Sequence, residues 1–209
     1  GKSTIAKGLA QKLDYIFIDT GAMYRATTLY FLDNNVDLND KMAVKNALNN
    51  ISIRFEKENG QVITFLNNKN VEKEIRTMRV SQSVSPVATI SAVRRAMVRE
   101  QQAMGKAKSV VLDGRDIGTV VFPDAELKLF VTANPDIRAQ RRVDELKNKG
   151  EMVDFEMVKA NLLERDHIDS NRADSPLRQA EDSVVIDTTD LKPNEQLEMA
   201  CQLALEKIN

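Results

Sequence analysis

Ser109-Val110-Val111-Leu112-Asp113-Gly114-Arg115-Asp116 carries a short apolar run straight into a charged turn. A run too short for a helix and apolar on both sides predicts a strand of a parallel sheet covered on both faces. Three other stretches share the form: Tyr15-Ile16-Phe17-Ile18 ahead of Asp19-Thr20-Gly21, Leu127-Lys128-Leu129-Phe130-Val131, and Ser183-Val184-Val185-Ile186-Asp187. Between them, apolar residues recur at spacings of three and four, as Ile5, Ala6, Leu9, Ala10 and Leu13 do. The same pattern predicts helices over 22–32, 40–50, 91–104, 136–148, 155–171 and 194–208. Strands alternating with helices specify an α/β fold built on a doubly wound parallel sheet.

One patch breaks that rhythm. Ile51-Ser52-Ile53-Arg54-Phe55 and Val62-Ile63-Thr64-Phe65-Leu66 alternate around Glu58-Asn59-Gly60-Gln61, the pattern of an antiparallel hairpin, with turn chemistry again at Asn67-Asn68-Lys69-Asn70. We read it as a small antiparallel β insertion into a single domain.

The 209 residues hold 30 Lys and Arg against 31 Asp and Glu, so no global field draws the chain to nucleic acid or an anionic membrane surface. Cys201 is the only cysteine and lies at helical spacing among apolar residues, which makes it a packed hydrophobe and excludes an intrachain disulfide framework. The expectation is a cytoplasmic, monomeric protein with no membrane span and no signal peptide. His167, the one histidine, has no second histidine or cysteine nearby, so it is read as incidental rather than as a metal ligand.

Ligands of open α/β sheets sit beyond the carboxyl ends of the strands, where this chain collects its polar residues. Asp187 and Asp190 are read as caps of the following helix. Asp113 is different, because an apolar strand closing on an aspartate resembles the one that helps hold Mg²⁺ in phosphate-loop enzymes. Gly1-Lys2-Ser3-Thr4 is the second half of the phosphate-binding loop G-x-x-x-x-G-K-[ST], which aims backbone N–H groups, an ammonium and a hydroxyl at a polyphosphate and its metal ion. Arg25, Arg94 and Arg115 supply planar donors suited to phosphate oxygens. Of Arg94, Arg95 and Arg99, at least two are expected at the surface. The segment 164–174 holds six charged groups and cannot build a core. It fits either an exposed salt-bridged helix or a mobile lid that carries Arg165 and Arg172 onto a transferring phosphoryl group.

Taken together these blocks resemble the bacterial cytidylate kinases (CMP/dCMP kinases) of the nucleoside monophosphate kinase family. The resemblance rests on Gly1-Lys2-Ser3-Thr4, on Thr20-Gly21-Ala22-Met23-Tyr24-Arg25, on the hairpin insertion, on Asp113-Gly114-Arg115-Asp116-Ile117-Gly118-Thr119-Val120-Val121, and on Glu164-Arg165-Asp166 continuing to Asn171-Arg172. It implies a P-loop kinase core with a helical lid, and transfer of the γ-phosphoryl group of ATP to CMP or dCMP with Mg²⁺. Gly1, Lys2, Ser3, Thr4 and Arg141 would face ATP, with Ser3 and Asp113 at the metal. Thr20, Arg25, Ser85, Arg94, Asp116, Asp169 and Arg172 would hold CMP, the base being read by Ser85, Arg94 and Asp116. Lys2, Arg115, Arg165 and Arg172 would carry the catalytic charge. The acceptor region would run over 25–95, with the insertion at about 50–72 and the lid over 141–172.

Cytosine offers an exocyclic amine beside ring-nitrogen and carbonyl acceptors, so a carboxylate or hydroxyl next to an arginine is a sensible reader. In one respect the sequence departs from the family pattern, since no strand or glycine-rich half-loop stands before Gly1. Either the chain is a portion of a longer protein, or it lacks a central strand and binds nucleotide without turnover. A related small kinase acting on UMP or AMP is the other alternative.

Overall fold

A computed structural model describes residues 1–58, 61–106, 109–148 and 150–208. Helix α1 (Lys2–Leu13) leads into strand β1 (Ile16–Asp19) and helix α2 (Thr20–Asp33), followed by α3 (Lys41–Asn49). Strands β2 (Ile53–Glu58), β3 (Gln61–Leu66) and β4 (Lys69–Asn70) form the insertion, closed by a 3₁₀ turn at Glu74–Arg76. Then come α4 (Met78–Thr89), α5 (Ser91–Gly105), β5 (Val110–Asp113), a π-helical turn (Ile117–Val121), β6 (Leu129–Thr132), α6 (Pro135–Asn148), α7 (Phe155–Asn171), β7 (Val184–Asp187) and α8 (Pro193–Ile208). Among the described residues, no helix is long and apolar enough to cross a membrane.

Aspartates start several of these helices. Asp19, Asp40 and Asp154 each accept hydrogen bonds from the first-turn amides of α2, α3 and α7, satisfying donors that a helix start leaves open. Thr20 and Arg25 on α2 are thereby aimed from the end of β1.

The main strands are parallel, as their apolar runs predict, and they pair two and two. β1 pairs with β5 so that Asp19 stands beside Asp113, and β6 pairs with β7. A larger core joins α2, α4 and α5 through Met23, Ala26, Val80, Val87, Val93 and Met97. A smaller one gathers Ile5 of α1, Ile186 of β7 and Ala200 of α8. Cys201 packs in a third cluster with Leu9 and Ala204, as a hydrophobe should.

Several expectations need correction. Neither β1 nor β7 is covered on both faces: Ile16 is 61% exposed, and beside the covered Ile186, Val184 and Val185 are 37% and 49% exposed, since among the described residues no element covers those positions. The Asn67-Asn70 stretch is more than a turn. Asn67 and Asn68 take positive φ, and this lets Lys69-Asn70 fold back on β3 as a third strand. Residues 59 and 60 of the expected hairpin turn lie outside the described residues. Asp187 does not cap α8; its carboxylate accepts from the Thr189 amide and hydroxyl, and α8 begins at Pro193, beyond Asp190. Helix α4 carries β-branched valines, serines and Pro86, weak helix formers that the burial of Val80, Val84 and Val87 overrides.

The turn after β5 is tight. A Cβ on Gly114 would lie 2.6 Å from Thr20 Oγ1 and 2.7 Å from Ile117 Cδ1, while Thr20 Oγ1 donates to the Asp113 carbonyl at 2.6 Å. Gly114→Ala is therefore expected to destabilise the fold by about 1–3 kcal/mol and lower the melting temperature by roughly 2–12 °C. Thermal unfolding of the variant beside the parent chain checks this, and coincident melting curves would refute the close packing.

Candidate active site

The N-terminus of α1 faces the carboxyl end of β5. The Ser3 hydroxyl donates a short hydrogen bond to the Asp113 carboxylate, and Ile5 N closes the first turn on the Gly1 carbonyl. Among the described residues no side chain caps the first turn of α1, so its leading amides can meet an anion. Thr4 is exposed beside them.

Lys2 stands among cations. Arg115 is the main cause, followed by burial and opposed by Asp113, of an ammonium pKa brought down to about 8. Burial, then Arg165 and Arg76, push Arg25 down to about 10. Arg165 is lowered by burial and by Arg115, and among the described residues the buried Nε atoms of both Arg25 and Arg165 have no hydrogen-bond partner. Thus Lys2, Arg115, Arg165 and Arg25 lie near enough to act on one another's charges, brought together from α1, the turn after β5, α7 and α2. A cluster of partly desolvated guanidiniums with open donors has the chemistry of a polyanion site.

Beside it lies a chain of ion pairs. Arg115 Nε donates to Asp169 Oδ2 at 2.8 Å, and Arg172 donates to Asp169 Oδ1 at 3.1 Å. Arg172 stands 3.8 Å from Asp116 Oδ1, and Arg94 donates to Asp116 Oδ2 at 2.5 Å. Arg94 and Asp116 are 2% and 5% exposed, whereas Arg95 and Arg99 are at the surface, as expected for two of those three. The arginine guanidinium also lies over Tyr24, 5.4 Å from the ring centroid, and donates to the Ala88 carbonyl at 3.4 Å. Ser85 sits one turn earlier on α4, half-buried. Asp116 itself is aimed by the π-helical turn, where its carbonyl accepts from both Val120 and Val121.

Arg141 is fixed differently. It donates to the Thr188 hydroxyl and to the carbonyls of Thr188 and Thr189, tying α6 to the loop after β7. Arg165 and Asp169 lie one turn apart on α7, Arg172 is the residue that ends it, and α7 has no fully buried residue. His167 is exposed, with one ring nitrogen 3.2 Å from Asn171 Nδ2.

Four charged residues at this cleft were not singled out from the sequence. Arg138 pairs with Asp166 across α6 and α7 at 2.5 and 3.1 Å. Burial alone would raise the Asp166 carboxyl, but the Arg138 hydrogen bond and charge hold it below its ordinary range. The spacing of Arg138 to Arg141, one helical turn, was a readable signal. Arg76 bonds Glu72 at 2.7 Å and reaches Asp19 at 3.4 Å; on a short 3₁₀ turn it had no periodicity to betray it.

Fold and charge together define a phosphate-loop enzyme of the nucleoside monophosphate kinase class. A sequence model of the family described as Cytidylate kinase matches residues 1–206. The chain is 55% identical to the cytidylate kinase of Parabacteroides distasonis over 201 residues, covering 94% of this chain and 88% of that protein. It is 55% identical to the Porphyromonas gingivalis cytidylate kinase (90% and 84% covered) and 49% identical to that of Flavobacterium johnsoniae (97% and 90%). The chain belongs to the cytidylate kinase family.

The depressed ammonium of Lys2 has a kinetic signature. Because kcat/KM for ATP reports groups of the free enzyme, it is expected to fall with rising pH above about 8, as Lys2 loses its charge. The stability term runs the other way. With a folded pKa of about 8 and an ordinary value of 10.5, the unfolded chain binds the extra proton between these pH values, so the cost of Lys2 to folding is full below 8 and fades as pH rises. A pH profile of kcat/KM for ATP tests this, and a profile flat to about pH 9.5 overturns it.

Proposed function

We propose that the chain transfers the γ-phosphoryl group of ATP to the 5′-phosphate of CMP or dCMP. The observation that carries this reading is the convergence of Lys2, Arg25, Arg115 and Arg165 on one cleft beside the buried Arg94–Asp116 pair.

In this assignment, Lys2 and the free amides of α1, with Gly1, Ser3 and Thr4, hold the donor phosphates, while Arg141 borders the donor base. Arg25, Arg115 and Arg165 bind the acceptor phosphate with Thr20. Arg94, Asp116 and Ser85 read cytosine, and Asp169 with Arg172 hold the sugar. Asp116 has the lone pairs to accept from the exocyclic amine while Arg94 donates to ring acceptors, so the pair is already polarised as the base requires.

Ser3 Oγ and the Asp113 carboxylate offer two adjacent hard oxygen donors, which fits Mg²⁺, an ion that takes one or two protein oxygens and completes its shell with phosphates and water. When bound it neutralises phosphate charge. The acceptor phosphate oxygen forms the new P–O bond to the γ-phosphorus as the bond to the β-phosphate oxygen breaks, releasing ADP. No side chain need act as nucleophile, and the protein supplies alignment and positive charge. We assign residues 25–95 to acceptor binding, with the insertion at 50–72, and 141–172 to the lid. Its helix α7 has no fully buried residue and docks in part through Arg115–Asp169 and Arg138–Asp166.

A coupled assay across CMP, UMP, AMP and GMP tests the reading: CMP is expected to be the best acceptor, and preference for a purine refutes it. Asp116→Asn is expected to lower kcat/KM for CMP by about 100-fold, the loss of roughly 3 kcal/mol of charged hydrogen bonding, with a smaller effect on the ATP KM.

A further inference from the structure

Tyr24 stands on α2 between Thr20 and Arg25, one position before the arginine assigned to the acceptor phosphate. Its hydroxyl is buried and makes no hydrogen bond among the described residues. That is unusual, because a buried hydroxyl left without a partner costs about 1–3 kcal/mol. The Arg94 guanidinium covers the ring. Asp116, Arg172 and Asp169 lie close enough for their charges to act on the phenol, although burial dominates and pushes its pKa up to about 12. At neutral pH the group is therefore a fixed, uncharged O–H donor.

Its neighbours do not claim it. Asp116 is engaged by Arg94 and approached by Arg172, and both oxygens of Asp169 are taken by Arg115 and Arg172. A donor kept dry and unpaired among groups that are otherwise satisfied has the form of a site waiting for an acceptor atom. The groups flanking it are those assigned to the base on one side and to the sugar on the other.

We infer that the Tyr24 hydroxyl is a further binding group for the acceptor nucleotide, donating a hydrogen bond to an oxygen of the pyrimidine nucleoside where base meets sugar. The inference rests on the proposed placement of the acceptor nucleotide between Arg94–Asp116 and Asp169–Arg172. It places on α2 a contact to the nucleoside next to the contact to its phosphate, so one rigid helix sets the distance between the two.

Tyr24→Phe removes the hydroxyl and keeps the ring under Arg94. The variant is expected to raise the CMP KM, and the CMP dissociation constant measured by calorimetry, by roughly tenfold. The ATP KM should stay within about twofold, and the melting temperature of the free protein should be unchanged or higher, since a buried unpaired group is gone. A lower melting temperature with equal loss toward both nucleotides marks the hydroxyl as structural and overturns the inference. So does CMP affinity within about twofold of the parent chain, the result expected if the hydroxyl only meets a trapped water. If the parent chain itself neither binds nor phosphorylates CMP, the functional reading fails and this one falls with it, an outcome separate from an active parent with an indifferent variant.

Discussion

Mutual repulsion among cations is the constraint around which this molecule is arranged. Lys2, Arg25, Arg115 and Arg165 are held near one another and partly out of water: the charge of Arg115 leads the lowering of the Lys2 pKa, while burial, with neighbouring cations second, lowers those of Arg25 and Arg165. Repulsion between partly buried charges is screened weakly, so it cannot be dissipated by salt as it would be at a surface. Such a cluster persists only because rigid elements impose it. The β1–β5 pairing fixes Asp19 beside Asp113, the tight Gly114 turn locks Thr20 to that strand end, and the α2 core holds Arg25 by packing Met23 and Ala26 on either side of it in sequence.

The counter-charges present are placed to orient more than to neutralise. Asp169 bridges Arg115 and Arg172, and Asp116 serves Arg94 with Arg172 nearby. Buried ion pairs of this kind contribute little net stability once desolvation is counted, yet removing one member leaves an uncompensated charge. What they contribute is geometry. An arginine clamped by a carboxylate presents its remaining N–H groups in a known direction, which is what alignment of two phosphates requires.

Much of this was legible in the sequence, and the failures have physical causes. Parallel strands announced themselves because apolar runs such as Val110-Val111-Leu112 end abruptly in charge, whereas the capping roles of Asp40 and Asp154 went unread because a cap shows itself only once its helix is built. Convergence of Arg25, Arg115 and Arg165 could be expected only through motifs, since nothing local says that three distant guanidiniums meet. Helix α4 hid because Val, Ser and Pro86 are poor helix formers and only burial against α2 selects the helix. Exposure of Val184 and Val185 was invisible because an apolar run reads as buried whether or not a neighbour covers it. Arg138 was overlooked because pairing with Asp166 needs α6 and α7 packed together, a tertiary fact. The orphan hydroxyl of Tyr24 belongs to the same class: the sequence gives a tyrosine, and only the surrounding pairings show that its donor is unspent.

Helix α7 ties these points together. It has no fully buried residue and exposes Met157 and Leu163, and it docks through half-buried Phe155, Val158, Leu162 and Ile168 together with the ion pairs of Lys159, Asp166, Asp169 and the Arg172 that follows it. An element with few deeply buried apolar residues and several ion pairs belongs to the low-stability end of a fold, where motion is cheapest. Its docking is also opposed by the charge it carries, because Arg165 enters a cleft already occupied by Arg25 and Arg115. An anion beside Arg165 and Arg115 would turn the repulsion between them into shared attraction. Ligand charge would therefore add to the Arg115–Asp169 and Arg138–Asp166 pairs that already dock α7, not replace them.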